Sequence, residues 1–177
     1  MTSQQDLIAR AKNIKLIVFD VDGVLTDGGL YRSDDGQETK RFNARDGLGM
    51  RLLQRTGITL AIITGRSSQV VEHRARELGI EHVYQGQKAK ETAFADLCER
   101  LNLQPSDAAY MGDDLIDLPV LTRAGLALAV ADAHPEVLSR CHWASQHTGG
   151  RGAAREACEL IMKHQGTWES TLAGYLA

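Results

Sequence analysis

The sequence is poor in the residues that mark extracellular, disulfide-stabilised proteins. It holds only three cysteines in 177 residues, at the widely separated positions 98, 141 and 158. An odd number of cysteines without a CxxC pair argues against a disulfide framework and against a cysteine-ligated metal. We therefore expect reduced thiols and a cytoplasmic protein.

Long apolar runs and an excess of positive charge are also missing. The longest apolar runs are far below the ~18 residues that span a bilayer, and the first residues lack the basic-then-apolar order of a secretory signal. The 20 Lys and Arg residues against 23 Asp and Glu give a formal charge of -3, which provides no electrostatic basis for binding nucleic acid. We expect neither a membrane nor a nucleic acid as a partner.

Proline is scarce and glycine is frequent, with three and 17 residues, which favours tight turns between regular elements. Because no repeat or linker interrupts the chain, residues 1–177 are predicted to form one domain. Short continuous apolar runs alternate with helical patterns, as is typical of a parallel sheet covered on both faces. The sequence therefore predicts an α/β fold with a doubly wound, mainly parallel sheet of the Rossmann-like type. The apolar runs are 14–19, 58–63, 82–84, 108–111 and 126–130, and the helical patterns are 48–55, 69–78, 91–101 and 152–164.

One segment breaks this alternation. Residues 29–42 mix polar and apolar side chains around an Asp35-Gly36 pair, which is typical of the turn of a β-hairpin. We expect this hairpin directly after the first strand.

Polar residues follow three of the apolar runs at the point where each strand ends. Asp20 and Asp22 follow the first run, Thr64 follows the second, and Asp113 follows the fourth. Ligands of open α/β sheets bind beyond the carboxyl ends of the strands, so these side chains should converge. Clustered carboxylates repel one another unless a cation lies between them, and oxygen ligands favour Mg²⁺. The sequence therefore predicts a magnesium site at this edge of the sheet.

Asp20 and Asp22 are two residues apart, so in an extended segment their side chains share a face. One carboxylate can attack phosphorus while the other moves protons. For either residue taken alone, capping of the following turn is the better interpretation. A calcium-binding EF-hand loop is excluded, because the sixth and twelfth positions from Asp20 are Leu25 and Tyr31 rather than glycine and glutamate.

Together, these segments resemble the haloacid dehalogenase superfamily of phosphotransferases. Its four signatures match, in chain order, DVDGVLTD at 20–27, Thr64, Lys90 and GDDLID at 112–117. The resemblance implies that Asp20 is the nucleophile and Asp22 the acid/base, with Thr64 and Lys90 acting on the phosphoryl group. It also implies Mg²⁺ held by the Asp20 carboxylate, the Asp22 main-chain carbonyl and Asp113.

The last signature contains two further acidic residues, Asp114 and Asp117. Asp114 could orient the metal ligands without binding the metal itself, or it could cap the next helix. Asp117 is expected to orient other groups rather than to bind the metal directly.

Members of this superfamily usually gain selectivity from an inserted cap domain, and no cap fits here. Only 43 residues lie between Asp20 and Thr64, and 22 lie between Lys90 and Asp113. The hairpin and one helix fill the first interval. The rim would stay open in a monomer, so we expect another subunit to close it.

The segments 20–31, 42–47, 84–94, 110–120 and 147–156 are similar to the 3-deoxy-D-manno-octulosonate (Kdo) 8-phosphate phosphatases, and the likeness extends over roughly residues 14–164. This resemblance implies a capless, Mg²⁺-dependent homotetramer that hydrolyses a sugar acid phosphate, Kdo 8-phosphate, in lipopolysaccharide biosynthesis through an aspartyl-phosphate intermediate. Two alternatives stay open: a related phosphatase for another sugar acid phosphate, and a non-catalytic assembly module.

The same resemblance implies a set of residues that contact the substrate. Arginine and lysine suit the carboxylate and phosphate of a sugar acid, although Arg51 and Arg74 could equally be solvated helix residues. His147 and the glycines at 149–152 could form a flexible loop or reach a neighbouring active site. The predicted contacts are Asp22, Asn43, Ala44, Arg45, Asp46, Gly47, Arg51, Arg66, Arg74 and Lys90.

Overall fold

A computed structural model describes residues 3–176, and Met1, Thr2 and Ala177 of the predicted domain lie outside the described residues. Six parallel strands form the main sheet, and two antiparallel strands form a separate hairpin. In chain order the strands are β1 (Leu16–Phe19), β2 (Tyr31–Arg32), β3 (Glu38–Thr39), β4 (Thr59–Ile63), β5 (His82–Tyr84), β6 (Ala108–Gly112), β7 (Leu126–Ala129) and β8 (Trp143–Ala144). The sheet order is β5-β4-β1-β6-β7-β8, with β2 paired to β3.

Within residues 3–176, eight α-helices connect and flank these strands. They are α1 (Gln4–Asn13), α2 (Ala44–Arg55), α3 (Gln69–Leu78), α4 (Lys90–Arg100), α5 (Leu118–Leu121), α6 (Pro135–Leu138), α7 (Ala153–His164) and α8 (Trp168–Ala173). Helix α7 packs against α1 and α2, whereas α4 packs against α5. The predicted doubly wound, mainly parallel α/β fold is confirmed.

Helix α2 begins earlier than predicted, and helices α1, α5, α6 and α8 lie outside the predicted helical patterns. Helix α2 begins at Ala44 rather than at residue 48, because the Asn43 side chain accepts a hydrogen bond from the Arg45 amide (2.8 Å) and caps its first turn. That turn is polar, so the apolar pattern on which the prediction rests begins later. Helix α1 was not predicted, since it is mostly polar and buries only Ala11.

The interval between β1 and β4 contains the predicted hairpin and α2, and no cap domain. Residues 33–37 connect the two hairpin strands, and Gly36 adopts the left-handed conformation (φ 82°) that glycine accommodates without strain. The Ser33 amide donates to the Gln37 carbonyl (3.1 Å) and closes the turn. The cleft beyond the strand ends therefore has no covering domain from its own chain.

Strand β1 lies at the centre of the sheet and fixes the residues that follow it. All four of its residues are buried, and it pairs with β4 on one side and β6 on the other. The buried apolar side chains form one contiguous core from Ala11 to Met162. Within residues 3–176, no helix is long and apolar enough to cross a membrane.

Candidate active site

The carboxyl ends of β1, β4 and β6 open into one acidic cleft. Because Phe19 pairs with Ile62 and with Met111, the next residues of the three strands emerge side by side. The Asp20 amide donates to the Met111 carbonyl (3.1 Å), which ties the first of these residues to β6. The cleft has a volume of about 250 Å³ and is lined by Asp20, Asp22, Gly28, Thr64, Gly65, Arg66, Asp113, Asp114 and Ile116.

A buried lysine joins two of the carboxylates at the base of this cleft. The Lys90 ammonium lies 2.8 Å from Asp20 Oδ2 and 2.7 Å from Asp117 Oδ1, with all three side chains at most 5% exposed. The second Asp20 oxygen, Oδ1, accepts a hydrogen bond from the Val21 amide (2.7 Å). Both oxygens of Asp20 are thereby oriented, as a carboxylate that attacks a substrate along one direction requires.

Asp117 organises the site from beneath. Its Oδ1 accepts hydrogen bonds from Lys90 and from the Tyr110 hydroxyl, each at 2.7 Å. Its Oδ2 accepts from the amides of Asp113 (3.0 Å) and Asp114 (3.2 Å). With both oxygens occupied in this way, Asp117 holds the loop after β6 in place. The neighbouring Asp114 is exposed, and its Oδ1 accepts from the Leu115 amide (2.7 Å), which caps the short turn that follows.

The donor atoms of this cluster suit a divalent cation. Asp20, Asp113 and Asp117 each offer one oxygen, and these oxygens lie within 4.8 Å of one another. Asp117 already accepts from four donors, whereas each Asp20 oxygen has one, so Asp20 and Asp113 are the carboxylates with lone pairs left for an ion. A side-chain Cβ placed on Gly23 would lie 2.0 Å from Asp113 Oδ2, so the chain next to Asp22 packs directly on this carboxylate. An all-oxygen set of this kind fits Mg²⁺.

The close packing of these carboxyl groups shifts their pKa values. Burial, followed by repulsion from Asp117, raises the pKa of Asp20 from 3.8 to about 6, although Lys90 opposes the shift. Burial and repulsion from Asp117 and Asp20 raise the pKa of Asp113 to about 8. Burial alone would favour the neutral amine of Lys90, but the adjacent Asp20 and Asp117 outweigh it and raise the lysine pKa. A divalent cation would relieve the repulsion between the carboxylates.

The Asp22 side chain is held by two cations rather than by the turn. The ammonium of Lys40, from the end of the hairpin, contacts Asp22 Oδ1 and is 2% exposed. Arg66 Nε lies 3.6 Å from Asp22 Oδ2, and the Arg66 guanidinium also contacts Glu38. Among residues 3–176, Arg66 Nε is the one buried side-chain nitrogen or oxygen without a hydrogen-bond partner. It therefore offers a donor to an anion in the cleft.

The hairpin supplies two residues that sequence reasoning missed, Glu38 and Lys40, which contact the cleft residues Arg66 and Asp22. A signal was present, because residues two apart on an extended strand share a face, and here both are charged. Tyr110 was also missed, since its position within an apolar run indicates only core packing. Its hydroxyl is nevertheless satisfied by Asp117.

The predicted site residues fall into two groups. Asp20, Asp22, Thr64, Arg66 and Asp113 line the cleft, with Lys90 beneath it. Asn43, Asp46, Gly47 and Arg74 instead line a small pocket beside Phe42, between α2 and α3. Ala44, Arg45 and Arg51 also belong to the second group, but they are exposed on α2 and do not line this pocket.

Several residues of the second group have contacts within their own chain. Arg51 donates to the Glu77 carbonyl. Arg74 forms an ion pair with Glu77 (3.1 Å), and its guanidinium carbon lies 5.8 Å from the centroid of the Phe42 ring. Asp46 is buried and accepts hydrogen bonds from the amides of Gly152 (3.3 Å) and Arg155 (2.9 Å). Contact of these residues with a substrate stays a prediction.

A comparison with protein families agrees with this geometry. Residues 47–125 match the family model of the haloacid dehalogenase-like hydrolases. The parallel sheet and the acidic cleft at its strand ends thus define a hydrolase of the haloacid dehalogenase-like class.

Individual relatives narrow this class. The 3-deoxy-D-manno-octulosonate 8-phosphate phosphatase KdsC of Escherichia coli (strain K12) is 52% identical over 161 residues, which cover 91% of this chain and 86% of that protein. The crystal structure of 3-deoxy-D-manno-octulosonate 8-phosphate phosphatase from Yersinia pestis is 51% identical with a TM-score of 0.91, covering 93% of this chain and 89% of that one. The Moraxella catarrhalis enzyme of the same name, crystallised with a magnesium ion, a phosphate ion and Kdo, is 43% identical with a TM-score of 0.96, covering 98% and 99%. The chain belongs to the family of 3-deoxy-D-manno-octulosonate 8-phosphate phosphatases.

Removing the buried lysine should destabilise the protein. Lys90→Met leaves Asp20 and Asp117 without their counter-charge, so we expect the free energy of unfolding to fall by about 3–5 kcal/mol. Urea denaturation at pH 7 and one protein concentration measures this change. Lys15→Met is the matched control, because the Lys15–Asp107 pair is solvent-exposed at the lysine and should contribute less than about 1 kcal/mol. Equal stability of the two variants would contradict the role assigned to Lys90.

The metal-free protein should lose stability with rising pH. Asp20 and Asp113 have folded-state pKa values of about 6 and about 8 against 3.8 in model compounds. Their contribution to stability is therefore complete below about pH 4 and is lost as the pH rises through both folded-state values. Mg²⁺ competes with these protons, so the rise in melting temperature on adding Mg²⁺ should grow from about pH 5 to about pH 8.

Differential scanning calorimetry with and without Mg²⁺ across this pH range provides the measurement. Asp113→Asn should abolish the Mg²⁺-dependent increase at every pH, since it removes one of the two free carboxylates. A Mg²⁺-dependent increase of the same size at both ends of the range would show that protons and metal do not compete at this site.

Proposed function

We propose that this chain hydrolyses 3-deoxy-D-manno-octulosonate 8-phosphate to Kdo and phosphate, in a Mg²⁺-dependent reaction of lipopolysaccharide biosynthesis. The observation that carries the proposal is the fixed Asp20 carboxylate, bound to Lys90 at 2.8 Å and exposed to a cleft with Asp22, Thr64 and Asp113. Identity of 52% to the E. coli phosphatase over 91% of the chain supports the substrate. The Moraxella relative that was crystallised with magnesium, phosphate and Kdo supports both cofactor and product.

In the first step, an Asp20 oxygen attacks the phosphorus of the substrate. A bond forms between Asp20 and phosphorus, and the bond from phosphorus to the sugar oxygen breaks. Asp22, as the carboxylic acid, donates its proton to the departing oxygen, so that Kdo leaves as an alcohol. Lys90 keeps Asp20 oriented and offsets negative charge on the nucleophile and the phosphoryl group.

In the second step, water attacks the phosphorus of the aspartyl-phosphate. The Asp22 carboxylate accepts a proton from this water, the bond between phosphorus and Asp20 breaks, and phosphate departs. Both aspartates then return to their starting forms. The contacts of Asp22 with Lys40 and Arg66 hold its side chain on the cleft side during both steps.

Mg²⁺ would be bound by the Asp20 carboxylate, the Asp22 main-chain carbonyl and Asp113, and it supplies positive charge that stabilises the transferring phosphoryl group. Thr64, at the end of β4, contributes a hydroxyl donor to the same group. Arg66 Nε, which lies near Asp22 but forms no hydrogen bond, gives the cleft a donor for the phosphate or carboxylate of the sugar acid. Asn43, Ala44, Arg45, Gly47, Arg51 and Arg74 belong to the proposed substrate contacts through family resemblance. Asp46 is not included, because its carboxylate accepts hydrogen bonds from the amides of Gly152 and Arg155.

Replacing the nucleophile tests this function directly. Asp20→Asn should lower Mg²⁺-dependent phosphate release from Kdo 8-phosphate by about 10³-fold or more, because an amide does not form the acyl phosphate. Asp6→Asn, on the surface of α1, is the matched control and should keep wild-type kcat/KM. Circular dichroism confirms that both variants fold.

The wild-type protein should also be compared on a panel of sugar acid phosphates and simple phosphoesters. Kdo 8-phosphate should have the highest kcat/KM, since selectivity is the ratio of these constants. A higher value for another sugar acid phosphate would favour the related phosphatase. Absence of phosphate release from every compound, with the protein folded, would favour a non-catalytic assembly module.

The chain, as one phosphatase domain, is further proposed to act in the cytoplasm as a homotetramer. Support comes from the open cleft and from exposed apolar side chains near it, Leu30 and Tyr31 on the hairpin side and Leu115 and Ile116 after β6. Such exposed groups are typical of surfaces that are covered in an assembly.

Light scattering after size exclusion should therefore give about 78 kDa, four times the 19.4 kDa of one chain. Tyr31→Glu should shift the mass to smaller species, because it places a charge on the hairpin surface. A mass of one chain at all concentrations would overturn the tetramer and leave the phosphatase proposal intact.

A further inference from the structure

A glycine segment crosses the back of the nucleophile loop at very close range. We name residues 149–152 the strap. The Gly150 amide donates to the Val24 carbonyl (2.9 Å). A Cβ on Gly149 would lie 1.8 Å from the Gly23 carbonyl oxygen, and one on Gly150 would lie 2.6 Å from the carbonyl carbon of Thr26. These are backbone atoms, so a side chain at position 149 or 150 would displace the loop.

The loop under the strap is in turn packed on the acidic cluster. A Cβ on Gly23 would meet Asp113 Oδ2 at 2.0 Å, so Gly23 lies between Asp113 on one side and Gly149 on the other. The three residues therefore form a contact series without room for a methyl group. Asp113, the first residue of this series, is a carboxylate that can bind the cation. Gly23, the second, directly follows Asp22 in the chain.

Three side chains anchor the strap. Buried Asp46 of α2 accepts hydrogen bonds from the amides of Gly152 and Arg155, at 3.3 and 2.9 Å. Asn43 Nδ2 donates to the Gly150 carbonyl (3.2 Å). On the other side, Asp132 Oδ1 accepts from the Gly149 amide (3.0 Å). The strap is thus fixed to the start of α2 and to the loop after β7, two segments that are far apart from each other in the sequence.

We propose that the strap positions the nucleophile loop for cation binding, and that Asp46 is a positioning residue acting through the strap rather than a ligand of the substrate. Mg²⁺ requires near-ideal octahedral geometry at about 2.0–2.1 Å. A displacement of a few tenths of an ångström at Gly23 therefore lowers the affinity for Mg²⁺ before it affects anything else in the cleft. The inference rests on the proposed function only in taking Asp20 and Asp113 as ligands of the cation.

The experiment measures Mg²⁺ binding to the whole protein, without substrate, by isothermal titration calorimetry. Gly149→Ala should raise the Kd for Mg²⁺ by at least about 10-fold, since the methyl group has to displace the Gly23 carbonyl. Gly174→Ala is the matched control. Gly174 has a φ of -65°, and the nearest atom to its added Cβ lies 3.6 Å away. Its Kd should equal that of the wild type.

Asp46→Asn separates positioning from substrate binding and decides the matter if Gly149→Ala does not fold. The amide keeps the size of the carboxylate but can accept only one of the two amide hydrogen bonds well. We expect the Kd for Mg²⁺ to rise about 3–10-fold, while the KM for substrate at saturating Mg²⁺ stays at the wild-type value.

Two results would overturn the inference. One is a Kd for Mg²⁺ within twofold of wild type in every folded strap variant, including Asp46→Asn. The other is an increase in the KM of Asp46→Asn at saturating Mg²⁺ with an unchanged Kd for Mg²⁺, which would make Asp46 a substrate ligand. Mg²⁺ binding that follows the expected pattern in a protein without phosphatase activity would uphold the inference and remove the proposed function instead.

Discussion

One buried ammonium allows the active-site cleft to exist. Asp20, Asp113 and Asp117 crowd the ends of β1 and β6, and burying several carboxylates together without compensation is strongly unfavourable. Lys90 compensates two of them with ion pairs at 2.8 and 2.7 Å. The amides of Asp113 and Asp114 and the Tyr110 hydroxyl stabilise Asp117 further. Negative charge remains on the cluster, and a divalent cation bound there would compensate it.

The fold was largely predictable because a parallel sheet leaves a simple signal. Strands buried on both faces, such as β1 and β7, require continuous apolar runs, and a run of that kind can be recognised without knowledge of its neighbours. Helix α1 gave no comparable signal. It buries one alanine, so its sequence resembles that of a solvated segment. The start of α2 was missed for a related reason, since Asn43 begins the helix through a hydrogen bond rather than through an apolar face.

The site was predictable where its residues lie directly at strand ends, and much less so elsewhere. Asp20, Thr64 and Asp113 follow from topology, because parallel strands bring their carboxyl ends to one edge. Lys40 reaches the cleft only because the hairpin folds back over Asp22, which depends on tertiary packing. Asp46 illustrates the opposite case. Family resemblance assigns it to the substrate, whereas its contacts in the structure are the amides of Gly152 and Arg155, a pairing more than 100 residues apart along the chain.

The hairpin, whose strands have only two residues each, contacts the cleft residues Asp22 and Arg66 through Lys40 and Glu38. Its tip from 33 to 37 is exposed. Because the hairpin is so short, it can be exchanged without disturbing the central sheet that carries the phosphoryl chemistry. The specificity of a capless scaffold for new acids would then change through small substitutions in the hairpin, whereas capped enzymes must remodel an entire cap domain.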